Sequence, residues 1–413
     1  MNPSSMGNME LPEVTVTAAP HESSDADANP SRRASKILIV SSAVPPAYMG
    51  SGVIVGNLLA KLEPGEAVAI AEGSDRQVRY IHGQAAHSFK SEFRWPQRGR
   101  RFIRWARWAR YRSLVRLIDR VSAETGRGPI VAVFPDEFYA SAARAVAKRR
   151  GLPFFPYFHN TYTDNRTGLS RVFGKGKEAA IMRDAECVMV LTSALEQHFH
   201  SRYPQKKFVV VPHSFAFDGT TELAAKPSDG KIRVGILGNI NSSNLDAFLR
   251  LFRAIDDSVL VNIYSGATPE WFFKKLGVLG PRVKLQQPSD AELQARLQEN
   301  DLLFLPHGLS GEWSSVEYRT IFPTRTVTYL GAGKPILAHC PEQSFLYEWL
   351  KARDCAEIVS SPNEQALGLA IRTLASNGPR AHEVTQNAAR AFTEFNPDVV
   401  VAKFKQVLAG EDA

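Results

Sequence analysis

The sequence predicts an α/β protein of two doubly wound domains facing a cleft. Three observations carry that expectation. Short apolar runs alternate with helical stretches. The alternation breaks between residues 216 and 230 and then starts again. At 413 residues the chain is too long for one ordinary hydrophobic core. The composition, 44% hydrophobic and 22% charged, is that of a globular chain and excludes disorder over most of its length.

Residues 1–35, rich in Ser, Pro, Ala, Asp and Asn, read as a disordered tail. Asp25-Ala26-Asp27 within it has the form of a metal-binding DxD, but a metal site needs rigid neighbours, and no metal is expected. The run Ile37-Leu38-Ile39-Val40 is uninterrupted, as in a parallel strand buried on both faces. A helix is expected over 56–62 and strands over 67–70 and 130–134. A helix over 138–150 stops at Gly151, and a strand follows over 154–158. A helix over 177–185, a strand over 187–191, a helix over 193–203 and a strand over 208–211 complete a first Rossmann-like domain, 36–215.

Asp218-Gly219, Lys226-Pro227 and Asp229-Gly230 mark 216–230 as a linker. The second domain, 231–390, opens with a strand over 232–237 and the turn Gly238-Asn239. A helix over 245–255, a strand over 259–264, a helix over 290–298 and a strand over 302–305 follow. Residues 322–338 then read as a loop, a short helix, a Gly-X-Gly stop at Gly331–Gly333 and a buried strand. Pro323 suits the first turn of that helix, and Pro335 prevents its continuation. The last apolar run, over 399–408, is a helix expected to pack back on the first domain from the segment 391–413.

Ligands of such folds sit at the carboxyl ends of the strands, so candidate residues are sought there. Arg325 falls in the first turn of a helix, where a cation is unfavourable unless an anion is bound; it suits either a phosphate site or an ordinary surface position. Gly50-Ser51-Gly52 follows the first strand, but eight residues too late for a dinucleotide fingerprint. It suits either a phosphate-approaching loop or a plain turn. His159 directly follows the run ending at Phe158, where an imidazole can bond a sugar hydroxyl or handle a proton, or be structural. Glu312 and Glu317, in the loop expected over 306–321, suit sugar or ribose hydroxyls or simple solvation. No HExxH, Walker loop or zinc-type Cys/His spacing occurs.

The ordered set of Pro45-Pro46 with Gly50-Ser51-Gly52, His159, the run 184–193, Val209-Val210-Val211-Pro212-His213, Ile232 to Gly238, and Phe322-Pro323-Thr324-Arg325 through Gly333-Lys334-Pro335 resembles the GT-B glycosyltransferases. The likeness is greatest to the bacterial retaining nucleotide-sugar group, mannosyltransferase-like enzymes among them. The resemblance implies transfer of a sugar from a nucleotide-diphospho-sugar to a glycan or lipid-linked acceptor, in cell-surface or exopolysaccharide synthesis. It places donor binding on Gly50, Ser51, Gly52, Gly238, Asn239, Arg325 and Thr328, and catalytic contacts on His159 and Glu317. Thr328 and Thr320 stand where many members carry glutamates, and Glu317 is the substitute from the loop. No cofactor is implied, because Arg325 and helix N-termini neutralise the leaving diphosphate. The alternative is a catalytically weakened relative that binds a sugar nucleotide or a membrane.

The net charge of +8 is local: residues 94–120 hold ten arginines and one acid, Asp119, interleaved with aromatics. Phe102, Trp105, Ala106 and Ala109 share one side of a helical wheel. Arg101, Arg104, Trp105, Arg107 and Trp108 are the candidate contacts to an anionic membrane surface or acceptor. Such segments also suit single-stranded nucleic acid, but this one is an inset in a larger α/β framework, and no nucleic acid is expected. Three cysteines without metal spacing, no apolar run of membrane-spanning length and no secretory leader pattern point to a cytoplasmic protein, peripheral on the inner face of the membrane.

Overall fold

In a computed structural model, which describes residues 35–45, 50–73, 77–90, 100–134, 136–215, 229–266 and 280–411, the apolar runs form two sheets. The first contains β1 (Ile37–Val40), β2 (Ala67–Glu72), β3 (Val78–Ile81), β4 (Gln84–Phe89), β5 (Ile130–Phe134), β6 (Phe154–Phe158), β7 (Val188–Val190) and β8 (Phe208–Val210), in the order β3-β4-β2-β1-β5-β6-β7-β8. All pairings are parallel except β3 with β4. The second contains β9 (Ile232–Leu237), β10 (Val259–Tyr264), β11 (Val283–Gln286), β12 (Leu302–Pro306), β13 (Ile336–His339) and β14 (Glu357–Ile358), ordered β11-β10-β9-β12-β13-β14 and all parallel.

Helices cover both faces of each sheet, which is why the strands need no polar alternation. In the first half these are α1 (Gly50–Leu59), α2 (Arg100–Glu124), α3 (Glu137–Arg150), α4 (Gly168–Asp184) and α5 (Ser193–Arg202). In the second half they are α6 (Leu245–Ala254), α7 (Asp290–Gln298), α8 (Ser315–Thr320), α9 (Thr324–Gly331), α10 (Phe345–Arg353), α11 (Glu364–Ala375), α12 (Pro379–Phe392) and α13 (Pro397–Ala409). Ile39, Val131, Tyr157 and Met189 point to one side of the first sheet, toward α1 and toward Val400, Phe404 and Val407 of α13. The last helix therefore belongs to the core of the first half. Leu38, Phe134 and Phe158 point to the other side, with Leu114 and Ile118 of α2, Val146 of α3 and Ile181 of α4.

Several boundaries differ from expectation for physical reasons. The hairpin β3–β4 was not foreseen: buried Gln84 breaks the apolar pattern, yet its side chain accepts from Ala67 N at 2.9 Å and donates to Glu63 O at 2.8 Å. Gly50, Ser51 and Gly52 are not a loop; they form the first turn of α1, which begins six residues before the expected helix. Glu317 is not in a loop either. Ser314 accepts from Glu317 N at 3.1 Å and starts the short helix α8. That Ser-x-x-Glu spacing was a readable signal. Gly333 takes the left-handed conformation, with φ +69°, and closes α9. The tail expected over 1–35, all but its last residue, and most of the linker expected over 216–230 lie outside the described residues. Among those described, no helix is long and apolar enough to cross a membrane.

Candidate functional site

The carboxyl ends of the two sheets meet. On the second-domain side, β9 ends at Leu237 and the chain turns at Gly238 with φ +97°. Tyr329 of α9 fixes the helix to this turn: its hydroxyl accepts from Leu237 N at 2.6 Å and donates to Phe304 O at 3.2 Å. One helical turn earlier, the Arg325 guanidinium lies on Gly238. A Cβ there would be 3.0 Å from Arg325 Cζ. Arg325 Nη1 is buried with no hydrogen-bond partner, and among the described residues no carboxylate pairs with the group. Burial pulls the guanidinium below its ordinary value, as expected for a cation waiting for its counter-charge. Asn239, next in the turn, accepts from the Ser265 hydroxyl at 2.7 Å, and Thr328 is buried further along α9. Gly238→Ala adds both strain at positive φ and a clash with the guanidinium. We expect a loss of about 1–3 kcal/mol in stability, read as a lower melting temperature.

On the first-domain side, α1 brings its N-terminus to that of α9: a Cβ at Gly50 would be 2.8 Å from Thr324 Oγ1. Two helix N-termini approaching each other beside an unpaired cation form a strongly positive point that only an anion relieves. Ser51 Oγ lies 3.0 Å from His159 Nδ1. The His159 ring packs edge-on to Tyr157 at 4.5 Å, and its Nε2 is buried without a partner. Burial, helped by nearby His213, lowers its pKa to about 3, so the ring is neutral at physiological pH.

The halves are tied by α8. Glu317, fully buried, accepts with Oε2 from Thr161 N at 3.0 Å and from the Thr161 hydroxyl, across the cleft. Its Oε1 has no partner, and burial raises its pKa. Ser314 N donates to Asn165 Oδ1 at 2.9 Å, and the Thr192 hydroxyl donates to Thr320 O at 2.9 Å. Glu317 is thus engaged in closing the cleft, whereas Glu312 stays near the surface and accepts from the Ser242 hydroxyl at 2.7 Å.

Sequence reasoning gave no role to two further histidines. His213 Nε2 lies 3.3 Å from Thr324 O, and His307 Nε2 lies 3.1 Å from Tyr318 O. His307 directly follows β12, as His159 follows β6, and His213 lies three residues past the end of β8, so a search of the strand ends finds both. Burial is the main cause that lowers both to about 4, with Arg325 adding to the effect at His307. For a histidine depressed in the folded state, stability is complete above the unfolded pKa of about 6.5. It is lost as pH falls toward the folded values, because the unfolded chain takes up protons first. The melting temperature should therefore fall steadily from pH 7 to pH 4, and a flat profile would contradict the neutral-histidine arrangement.

The basic segment is placed elsewhere. The helix α2 lies across the sheet from α1. Ala106 is buried, whereas Trp105 and Trp108 are 53% and 52% exposed, so the expected shared face of Trp105 and Ala106 is split between solvent and core. Trp108 is stacked by Arg112, and Arg107 is exposed. The side chains of Arg101 and Arg104 lie outside the described residues.

Solved proteins share this architecture. A sucrose-phosphate synthase from Thermosynechococcus elongatus matches with a TM-score of 0.67 and 14% identity, over 91% of this chain and 98% of that one. HepE from Anabaena, solved with UDP, matches at 0.65 and 13%, over 91% and 100%. A UDP-forming trehalose-phosphate synthase from Burkholderia xenovorans, solved with glucose-6-phosphate, matches at 0.66 and 12%, over 91% and 100%. Neither a family model nor a curated protein matches the sequence.

Proposed function

The chain has the GT-B fold of these glycosyltransferases, and from that premise we propose that it transfers a sugar from a nucleotide-diphospho-sugar to a sugar-containing acceptor. The observation that carries the proposal is Arg325, in the first turn of α9 with its guanidinium against Gly238 and its Nη1 buried without a hydrogen-bond partner. Such a site fits a diphosphate, whose charge grows as the sugar leaves. In this reading Arg325 and the two helix N-termini stabilise the leaving group without a metal, and Gly238 leaves room for the guanidinium. The neutral His159, anchored by Ser51, offers its unpartnered Nε2 to a donor-sugar hydroxyl. The contacts of Glu317, Ser314 and Thr320 hold the cleft closed against water, since hydrolysis competes with transfer.

Uridine nucleotides are the first to test, because UDP or UDP-glucose is bound in the HepE structures. A thermal-shift panel of nucleoside diphosphates and nucleotide sugars should raise the melting temperature for one base class. Absence of any shift would sink the donor-site assignment. The second reading, a binding protein without turnover, is favoured by Thr320 and Thr328 in place of acids. It predicts a thermal shift with neither donor hydrolysis nor transfer. We further propose a lipid-linked acceptor in surface-polysaccharide synthesis and action at the cytoplasmic face of a membrane. The exposed Trp105 and Trp108 beside the arginines of α2 support that placement.

A further inference from the structure

The helix α8, Ser315–Thr320, is too short to hold a direction by its own hydrogen bonds. What it touches on either side sets its orientation. Toward the first domain it presents Glu317 to Thr161, and Thr320 O accepts from the Thr192 hydroxyl. Toward the second domain it presents the next residue, Tyr318. The Tyr318 hydroxyl donates to Ser243 O at 2.6 Å, and Tyr318 O accepts from His307 Nε2 at 3.1 Å. Tyr318 is buried, and burial pushes its pKa up to about 12, so the hydroxyl is a donor throughout the physiological range.

Ser243 belongs to the turn between β9 and α6, the same turn that starts at Gly238. Asparagines stiffen it: Asn241 N donates to Asn244 Oδ1 at 2.9 Å, and Asn244 Nδ2 donates to Asn239 O at 3.2 Å. Ser243 is therefore joined by short bonds to Asn239, beside the glycine on which Arg325 lies. The segment leading into α8 presses on the same turn. A Cβ at Gly311 would overlap the Tyr318 hydroxyl and stand 2.6 Å from Ser242 O, and one at Gly308 would stand 2.9 Å from Ser243 O. Gly311 is outside the left-handed region, so contact and not backbone strain keeps a side chain out. The surface bond from the Ser242 hydroxyl to Glu312 links these segments too, but an exposed bond competes with water and contributes less than the buried one.

We infer that Tyr318 is a positioning residue that couples the anion site to closure of the cleft: its hydroxyl pins α8 to the turn beside Arg325, so that Glu317 is presented to Thr161 when that turn is fixed. The inference rests on the reading of Arg325 as the diphosphate site, and it names the residue through which an occupied site steadies the latch. Neighbouring residues of one short helix divide the work, Glu317 holding the first domain and Tyr318 the second.

The test is small-angle scattering of the full chain with and without UDP, alongside thermal shift with UDP, for wild type, Tyr318→Phe, Gly311→Ala and Glu317→Ala. Phenylalanine keeps the ring that packs on His307 and Trp313 and removes only the donor. Alanine at Gly311 leaves the donor and displaces it. Both variants should still gain melting temperature with UDP, since both keep Arg325. Both should have a radius of gyration shifted from wild type toward Glu317→Ala, and UDP should not restore the wild-type value. A lower melting temperature with the wild-type radius of gyration would make Tyr318 a purely structural tyrosine and overturn the inference. Recovery of the wild-type radius when UDP binds Tyr318→Phe would also overturn it, by showing that the coupling runs elsewhere. If UDP and the other nucleoside diphosphates leave the melting temperature of wild type unchanged, the diphosphate reading fails and takes the coupling with it, whatever the scattering of the variants.

Discussion

Arg325→Met is expected to stabilise the unliganded protein while abolishing its stabilisation by nucleoside diphosphates. The two effects have opposite signs because one group causes both. A guanidinium with a buried, partnerless Nη1 costs folding free energy, and an apolar side chain of similar length removes that cost. A rise in melting temperature on the order of 2 °C would correspond to about 1 kcal/mol in a domain of this size. The same change removes the guanidinium that lies against Gly238, so the thermal shift with nucleotide should vanish. Transfer should fall about 10²–10³-fold, the usual effect of deleting a preorganised charge-stabilising group. Differential scanning fluorimetry with and without nucleotide reads both effects in one plate. A variant that is destabilised yet still shifts with nucleotide would show that Arg325 is a structural cation.

Glu317→Ala should open the cleft. The carboxylate is fully buried and satisfies two donors of Thr161 from the other domain. Alanine leaves those donors without a partner and creates a cavity, at a cost of about 1–3 kcal/mol for the unsatisfied groups. The wild-type halves are also held by Ser314 with Asn165 and by Thr192 with Thr320, so opening is partial. Small-angle scattering should give a larger radius of gyration for the variant. Donor hydrolysis should rise relative to transfer, because an open cleft admits water. Glu317→Gln keeps one acceptor oxygen and should lie between. Identical scattering and melting for wild type and Glu317→Ala would remove the latch from the account.

The two sheets were legible because parallel strands buried on both faces are written as unbroken apolar runs. The runs 37–40, 130–134 and 302–305 read as such strands, and the structure has strands there, the last extended by Pro306. The stop at Gly151 was legible because its φ of +62° suits glycine best. His159 was legible from its place after a strand, and Arg325 from its place after Pro323. The first turn of α1 was not, since Gly50 and Gly52 weaken any helical signal in the chain itself. Nor was β4, whose buried Gln84 is acceptable only because Leu62, Glu63 and Ala67 supply its partners.

The sequence by itself determined the α/β alternation, the two-part division and the residue types at the strand ends. These follow from local periodicity and from which side chains tolerate full burial. Tertiary structure alone decided which charges are paired and which faces are covered. Leu169, Val172 and Phe173 have the spacing of an ordinary core stripe, and Glu178 reads as a solvated residue. In the fold Glu178 is buried with Ile181 and Met182, because Thr163, Tyr203 and Arg202 converge on its carboxylate, whereas Leu169, Val172 and Phe173 of the same helix are exposed. Glu317 and Arg325 differ for the same reason. One is buried against Thr161, 156 residues away in the chain, and the other faces a glycine with no counter-charge. Burial depends on partners distant in sequence, and a local pattern does not contain them.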